Sequence, residues 1–212
     1  MNRKSVSFFE ILRSHARAQP EVIASRSSRR AITYRRLWSR VERASARLLG
    51  EWQVQRGDVV AYWGYGHQDA LTFYLAAARC GLRLLPFEDP LLRQNADAVL
   101  AQHPARLILH DPGQTSDVPR SVAKAANLSS LIARPCQYDP EVAEDDATPS
   151  LITFTNNEDG SMHYGESSLA SLQTTAGTSD SSFQVDAALL NAAVLANHVL
   201  PVLTAGGTIV FR

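Results

Sequence analysis

Residues 56–87 read RGDVVAYWGYGHQDALTFYLAAARCGLRLLPF, and their order of patterns decides the fold. Gly57-Asp58 is a turn signal leading into Val59–Trp63, a run apolar enough to be buried on both faces. Asp69–Cys80 is Ala-rich and helical in pattern, and Gly81 follows it as a C-terminal cap residue. Arg83–Phe87 is a second apolar strand, closed by Pro90. Strand, helix and strand in so short a stretch predict a βαβ unit, hence parallel strands with a crossover helix.

The same alternation continues outward. Upstream, Val6–Ala18 carries Phe8, Phe9 and Leu12 on one face and stops near Pro20. Short strands are predicted at Val22–Ser25 and Ala31–Tyr34. Tyr34, Leu37, Val41, Ala44, Leu48 and Trp52 recur at helical spacing, with Arg36, Arg40, Arg43 and Arg47 on the opposite, outer side. Downstream, Leu91–Gln102 reads as helix and Leu107–His110 as strand. Residues 111–149 are weakly patterned, with a short helix expected near Ser121–Ala126 and a solvated acidic crossing at Pro140–Pro149. Beyond it, strands are expected at Ser150–Thr155, Ala187–Asn191 and Thr208–Arg212, with helices at Ser167–Thr175 and Val194–Thr204. The expected fold is α/β, a largely parallel sheet flanked by helices, in one domain over residues 1–212.

Composition narrows function. The chain is 45% hydrophobic with zero formal net charge, which points to neither nucleic acid nor membrane surface as partner. The charge is uneven, however. Residues 1–56 hold 13 Lys+Arg against 4 Asp+Glu, and residues 57–212 hold 8 against 17. A basic N-terminal face would dock an acidic partner, or its arginines would pair with the acidic half. Cys80 and Cys136 are too few for a disulfide framework, so free thiols and a cytoplasmic setting are expected. No apolar run reaches membrane-spanning length.

Several landmarks occur in order: Phe9, Leu12, Ala18, Pro20, Ile23 and Ala24; Ile32-Thr33-Tyr34-Arg35-Arg36-Leu37; Val54 followed by Gly57-Asp58-Val59-Val60-Ala61; Ala76, Gly81 and Pro86; and Pro201–Thr208. Together they resemble the first two-fifths of the adenylate-forming superfamily, which includes acyl-CoA ligases, luciferase-like enzymes and peptide-synthetase adenylation domains. In that family a strand like Leu151–Thr155 feeds a phosphate loop of the form T-S-G-T-T-G-x-P-K-G. Here only Thr155 and Gly160 match it. Asn156 and Asn157 replace Ser-Gly, Glu158 and Asp159 replace the two threonines, Ser161 fills the variable position, Met162 replaces the proline, His163 the lysine and Tyr164 the last glycine.

That exchange opposes ATP. A phosphate cradle aims donors at negative charge. A carboxylate about 4 Å from a phosphate oxygen would cost up to about 4 kcal/mol at intermediate dielectric. A bridging Mg²⁺ would soften the repulsion, and imidazole is a poor substitute for the lysine ammonium. The chain also ends at Arg212, before the region where the family carries its adenine-stacking, magnesium-binding and lid elements. The resemblance therefore implies a truncated, non-catalytic relative with no bound cofactor and no catalytic residues. It would act by binding a carrier protein, a full-length ligase or another copy of itself, or a small acyl or aryl ligand. The alternative is one part of a split ATP-dependent ligase, using ATP or AMP with Mg²⁺, whose lysine comes from a second chain.

Other constellations rank below this one. Thr155, Asn157, Asp159, Gly160 and Glu166 fit a calcium loop loosely, without a carboxylate at its first position. His103, His110 and Asp111 are conceivable metal ligands that helix-to-strand geometry would scatter. His198 reads as a capping or surface residue.

Overall fold

The computed structural model describes residues 6–122, 124–133, 136, 138, 142, 144–156, 162–174, 182–185 and 191–212. Helix α1 (Phe8–Ala18) begins with a capping box: Ser7 Oγ accepts from the Glu10 amide at 3.2 Å, and Glu10 Oε2 accepts from the Ser7 amide at 3.1 Å. Strands β1 (Ile23–Arg26) and β2 (Ala31–Thr33) form an antiparallel pair. Thr33 caps helix α2 (Tyr34–Ala46), which continues as a π-helical turn over Arg47–Glu51.

The βαβ unit is present as β3 (Val59–Trp63), α3 (Gln68–Arg79) and β4 (Arg83–Pro86), with β3 and β4 parallel. Gly81 adopts φ +65°, a conformation that a side chain would strain, and so ends α3 sharply. Helices α4 (Pro90–Gln94) and α5 (Ala96–Gln102) divide the expected single helix, and β5 (Ala105–His110) returns to the sheet. There follow β6 (Ala125–Asn127), β7 (Pro149–Asn156), β8 (Met162–Ser168), α6 (Leu169–Thr174), β9 (Ser182–Val185), α7 (Ala192–Val194), a π-helical turn Leu195–Val199, α8 (Leu200–Thr204) and β10 (Thr208–Phe211).

The strands form two sheets. One has the order β6-β5-β3-β4-β7-β8 and the other β2-β1-β10-β9. Every pairing is parallel except β1–β2 and β7–β8. Helix α3, with ten buried residues, fills the main core with α1, α2 and residues of the second sheet. A smaller core lies on the other face of the six-stranded sheet, where Val59, Ala61 and Trp63 meet Leu92, Val99 and Leu100. The period-two alternation along β3 thus divides its side chains between two apolar cores, which is why the strand carries no polar face.

Four expectations need correction. The segment near Ser121–Ala126 supplies strand β6, not a helix, because pairing with β5 overrides the helical preference of its alanines. Residues 162–165, expected within the loop, begin strand β8. The strand expected at Ala187–Asn191 falls on positions of which 187–190 lie outside the described residues, and a strand that the sequence reading did not place runs over Ser182–Val185. The Arg stripe of α2 is not all solvated: Arg47 is 6% exposed, donates to Ser130 O and pairs with Glu51. The acidic crossing is also not merely solvated. Glu144 accepts from Arg13 Nη2 at 2.7 Å and from Arg79 Nε at 2.8 Å, and both guanidinium groups lie over the Trp38 ring. Asp146 Oδ2 accepts from the Phe8 amide at the start of α1.

The charge asymmetry resolves into pairs across the chain. Asp69 joins Arg30 and Arg40, Asp145 joins Arg56, and Glu166 joins Arg83. Arg17, Arg26, Arg29 and Arg36 remain exposed without an ion pair among the described residues.

Candidate functional site

A crevice of about 480 Å³ opens at the carboxyl ends of β4 and β7. Parallel strands leave their final residues there with the connecting segments splayed above them, the usual place for a ligand in such a sheet. Leu92, Leu151, Ile152 and Phe154 provide apolar wall, and Glu88, Asp89, Thr153, Thr155, Ser167 and Asn191 provide polar groups. Asp89 is held at the rim as the N-cap of α4, accepting from the Leu91 amide at 2.7 Å, and Pro90 follows at the first helical position. Glu88 is buried and accepts from the Tyr74 hydroxyl at 3.0 Å. Burial, and then the charge of Glu88, push the Tyr74 phenol well above its ordinary range, so it remains a proton donor to that carboxylate. No lysine or arginine is among the described residues lining the crevice.

The sequence-predicted loop sits at its edge. Thr155 and Asn156 are the last residues of β7, and Thr155 lies opposite His163 in the antiparallel register with β8. Both Thr155 and His163 are exposed. Asn157, Glu158, Asp159, Gly160 and Ser161 lie outside the described residues. A calcium loop over 155–166 is overturned: its two ends are strands of one hairpin, not helices, and Glu166 is paired with Arg83 Nη1 at 2.9 Å. No cluster of three metal-ligating side chains occurs among the described residues. His198 stacks on Phe183 with ring centroids 3.9 Å apart.

A second polar assembly was not legible as a unit in the sequence. At the carboxyl ends of β3 and β5, Asp111 accepts from the Tyr62 hydroxyl at 2.9 Å, the Tyr65 amide at 2.9 Å and His67 Nε2 at 2.8 Å. His67 Nδ1 accepts from the Asp69 amide and so caps α3, which places the imidazole proton on Nε2, facing Asp111. Burial pushes the Asp111 carboxyl up, but these hydrogen bonds outweigh it and hold the group below the ordinary carboxylate range. Gly64 makes the assembly possible: a Cβ there would overlap Asp111 Oδ2 and the Tyr62 hydroxyl. The expected scattering of His103, His110 and Asp111 holds in part, since His110 Nδ1 meets only the backbone oxygen of Asp111 and His103 packs on Tyr164. The residue that reasoning from sequence missed is His67. The signal available was a Tyr in an apolar strand and an Asp just past the end of the neighbouring one.

Comparison with known proteins agrees with this architecture. The feruloyl-CoA synthase of Amycolatopsis sp is 29% identical over 211 residues, covering 93% of this chain and 42% of that enzyme. The Klebsiella oxytoca NpsA N-terminal subdomain, solved in complex with 3-hydroxyanthranilyl-AMSN, superposes with a TM-score of 0.80 at 20% identity, covering 96% of this chain and 53% of that one. NpsA-ThdA, an artificially fused adenylation–PCP di-domain from the same organism, gives a TM-score of 0.80 at 20% identity over 97% of this chain and 42% of that one. The chain thus spans about half the length, or less, of these relatives. Residues 12–179 match the family described as AMP-binding enzyme, and the chain, with its mostly parallel α/β architecture, belongs to that adenylate-forming family.

Proposed function

We propose that this chain, as one folding unit over residues 1–212, is a binding member of its family that does not activate carboxylates by itself. It takes a neutral acyl or aryl group in the crevice at the ends of β4 and β7, presented by a carrier protein or a partner ligase. The observation that carries this reading is the crevice lining: an apolar wall, two carboxylates and no described basic side chain. ATP or AMP with Mg²⁺ is the family's usual ligand, and the described residues do not fit it. Glu88 and Asp89 present charge of the same sign as a triphosphate, and the position of the family's lysine is an exposed imidazole, His163. An acyl or aryl thioester has no charge for those carboxylates to repel, and its chain or ring matches Leu92, Ile152 and Phe154. Arg17, Arg26, Arg29 and Arg36, exposed and without an ion pair among the described residues, supply positive charge for an acidic carrier.

A second reading rests on the relatives' length. In it, these residues form one part of a split ATP-dependent ligase and a second polypeptide supplies the groups that adenylation still needs; the chain spans 42% of the feruloyl-CoA synthase. Calorimetric titration separates the two. The N-acetylcysteamine thioester of ferulic acid should bind, free ferulate should bind more weakly, and ATP should give no heat with or without Mg²⁺. Micromolar ATP·Mg binding, or ATP–pyrophosphate exchange by the chain, overturns the proposal.

A further inference from the structure

We infer that a second small-molecule site, separate from the β4–β7 crevice, lies outside the carboxyl ends of β3 and β5 and takes a compact oxyanion, a carboxylate or phosphate group. Topology points there first. In the order β6-β5-β3-β4, strand β3 leads to β4 on one side, whereas its neighbour β5 leads to β6 on the other. The chain leaves two adjacent parallel strands in opposite directions, and open α/β sheets bind ligands in the crevice such a reversal creates. A cavity of about 440 Å³ occupies the position, between Trp63 at the end of β3, Arg93, Asn95 and Asp97 around the α4–α5 junction, and Asp117 and Arg120 after β5.

Its chemistry points to an acceptor. Trp63 is only 4% exposed, and its indole Nε1–H has no hydrogen-bond partner among the described residues. Buried donors are nearly always paired, and this unmet one belongs to a residue that lines the cavity, which favours an acceptor over a donor as its occupant. Arg93 is positioned without being neutralised. Its Nε donates to Phe87 O at 2.6 Å and its Nη2 to Gly64 O, and its guanidinium lies 4.7 Å from the Tyr65 ring and 5.4 Å from that of Trp63. Neither Arg93 nor Arg120 forms an ion pair among the described residues. A guanidinium so fixed meets an oxyanion with little ordering entropy left to lose. Asp97 and Asp117 also line the cavity, but both are exposed and already accept from Ser121 Oγ and Ser116 Oγ, so solvent and salt screen their repulsion.

The test is tryptophan fluorescence of the whole chain during titration with sodium acetate or inorganic phosphate, with ionic strength held constant by chloride. The chain has three tryptophans, so a Trp63→Phe variant identifies the reporter. A saturable change with either anion is expected, lost in Trp63→Phe and shifted at least tenfold to higher concentration in Arg93→Lys. Acetate alone saturating assigns a carboxylate ligand; phosphate alone assigns a phosphorylated one. Arg120→Gln, at an exposed position, keeps the fold and should weaken the response several-fold. If Arg93→Lys loses its far-UV circular dichroism, that second variant decides. A response that chloride reproduces, that never saturates, that survives Trp63→Phe or that Arg120→Gln leaves unchanged overturns the site and leaves a water-filled crevice only.

Discussion

Replacing Asp111 with Asn preserves the shape of the side chain and removes its charge, and the donors around it set the cost. Three of them converge on the carboxylate: the Tyr62 hydroxyl, the Tyr65 amide and His67 Nε2. An asparagine offers one oxygen, so its NH₂ must face at least one of these donors. The lost charge-assisted bond contributes about 2 kcal/mol, and the donor left unpaired in a partly buried site costs about as much again. Asp111→Asn should therefore destabilise the fold by about 4 kcal/mol, within a stability of about 5–15 kcal/mol for a domain. Urea unfolding followed by circular dichroism measures this as a lower midpoint at unchanged slope. The pH dependence is a second signature. Asp111 is held below the ordinary carboxylate range, so its contribution is fully present above about pH 4 and is lost as pH falls through its lowered folded value. Asp146, pushed up by burial, acts in the opposite sense in both proteins, so the difference between them isolates Asp111. A variant within about 1 kcal/mol of the parent, or one with the same acid limb, refutes this account of the network.

Two other parts of the fold give testable outcomes. Glu144→Gln leaves Arg13 and Arg79 together over Trp38 without their shared carboxylate, and thermal unfolding should show a loss of about 2–3 kcal/mol, the half-exposed Arg13 keeping it below a fully buried case. Burial pushes the Cys80 thiol up to about 11, so Ellman's reagent should modify Cys136 first and reach Cys80 only on unfolding.

The elements that sequence reading located share one property: their own residues punctuate them. Gly57, Gly81 and Pro90 bracket the βαβ unit, and the apolar runs between them leave one assignment. Strand β8 lacks such a signal. Met162–Ser168 is half polar, contains Gly165 and sits at a sheet edge, where one side needs no partner and burial imposes no alternation. Strands β6 and β9, with three and four residues, are set by the neighbours they pair with. The candidate site divides in the same way. Thr155 and His163 entered only through the resemblance to a phosphate-loop motif, whereas Glu88, Asp89 and the Tyr62–His67–Asp111 assembly depend on which strand ends the topology brings together. Glu144 is the extreme case, reaching Arg13 from 131 positions away along the chain.

The four-stranded sheet closes late. Strand β1 pairs with β10, and Thr208 Oγ1 donates to Ile23 O across 185 residues of sequence. A ribosome adding about 5–20 residues per second needs roughly 10–40 s to make the intervening chain. Throughout that interval the β1–β2 ribbon has an open edge, and α1 waits for α8, whose Thr204 oxygen meets His15 Nε2. A segment made well before β10 is thus among the last to be covered, and nascent chains of this protein should engage a holding chaperone through residues 8–34 until β10 has left the exit tunnel.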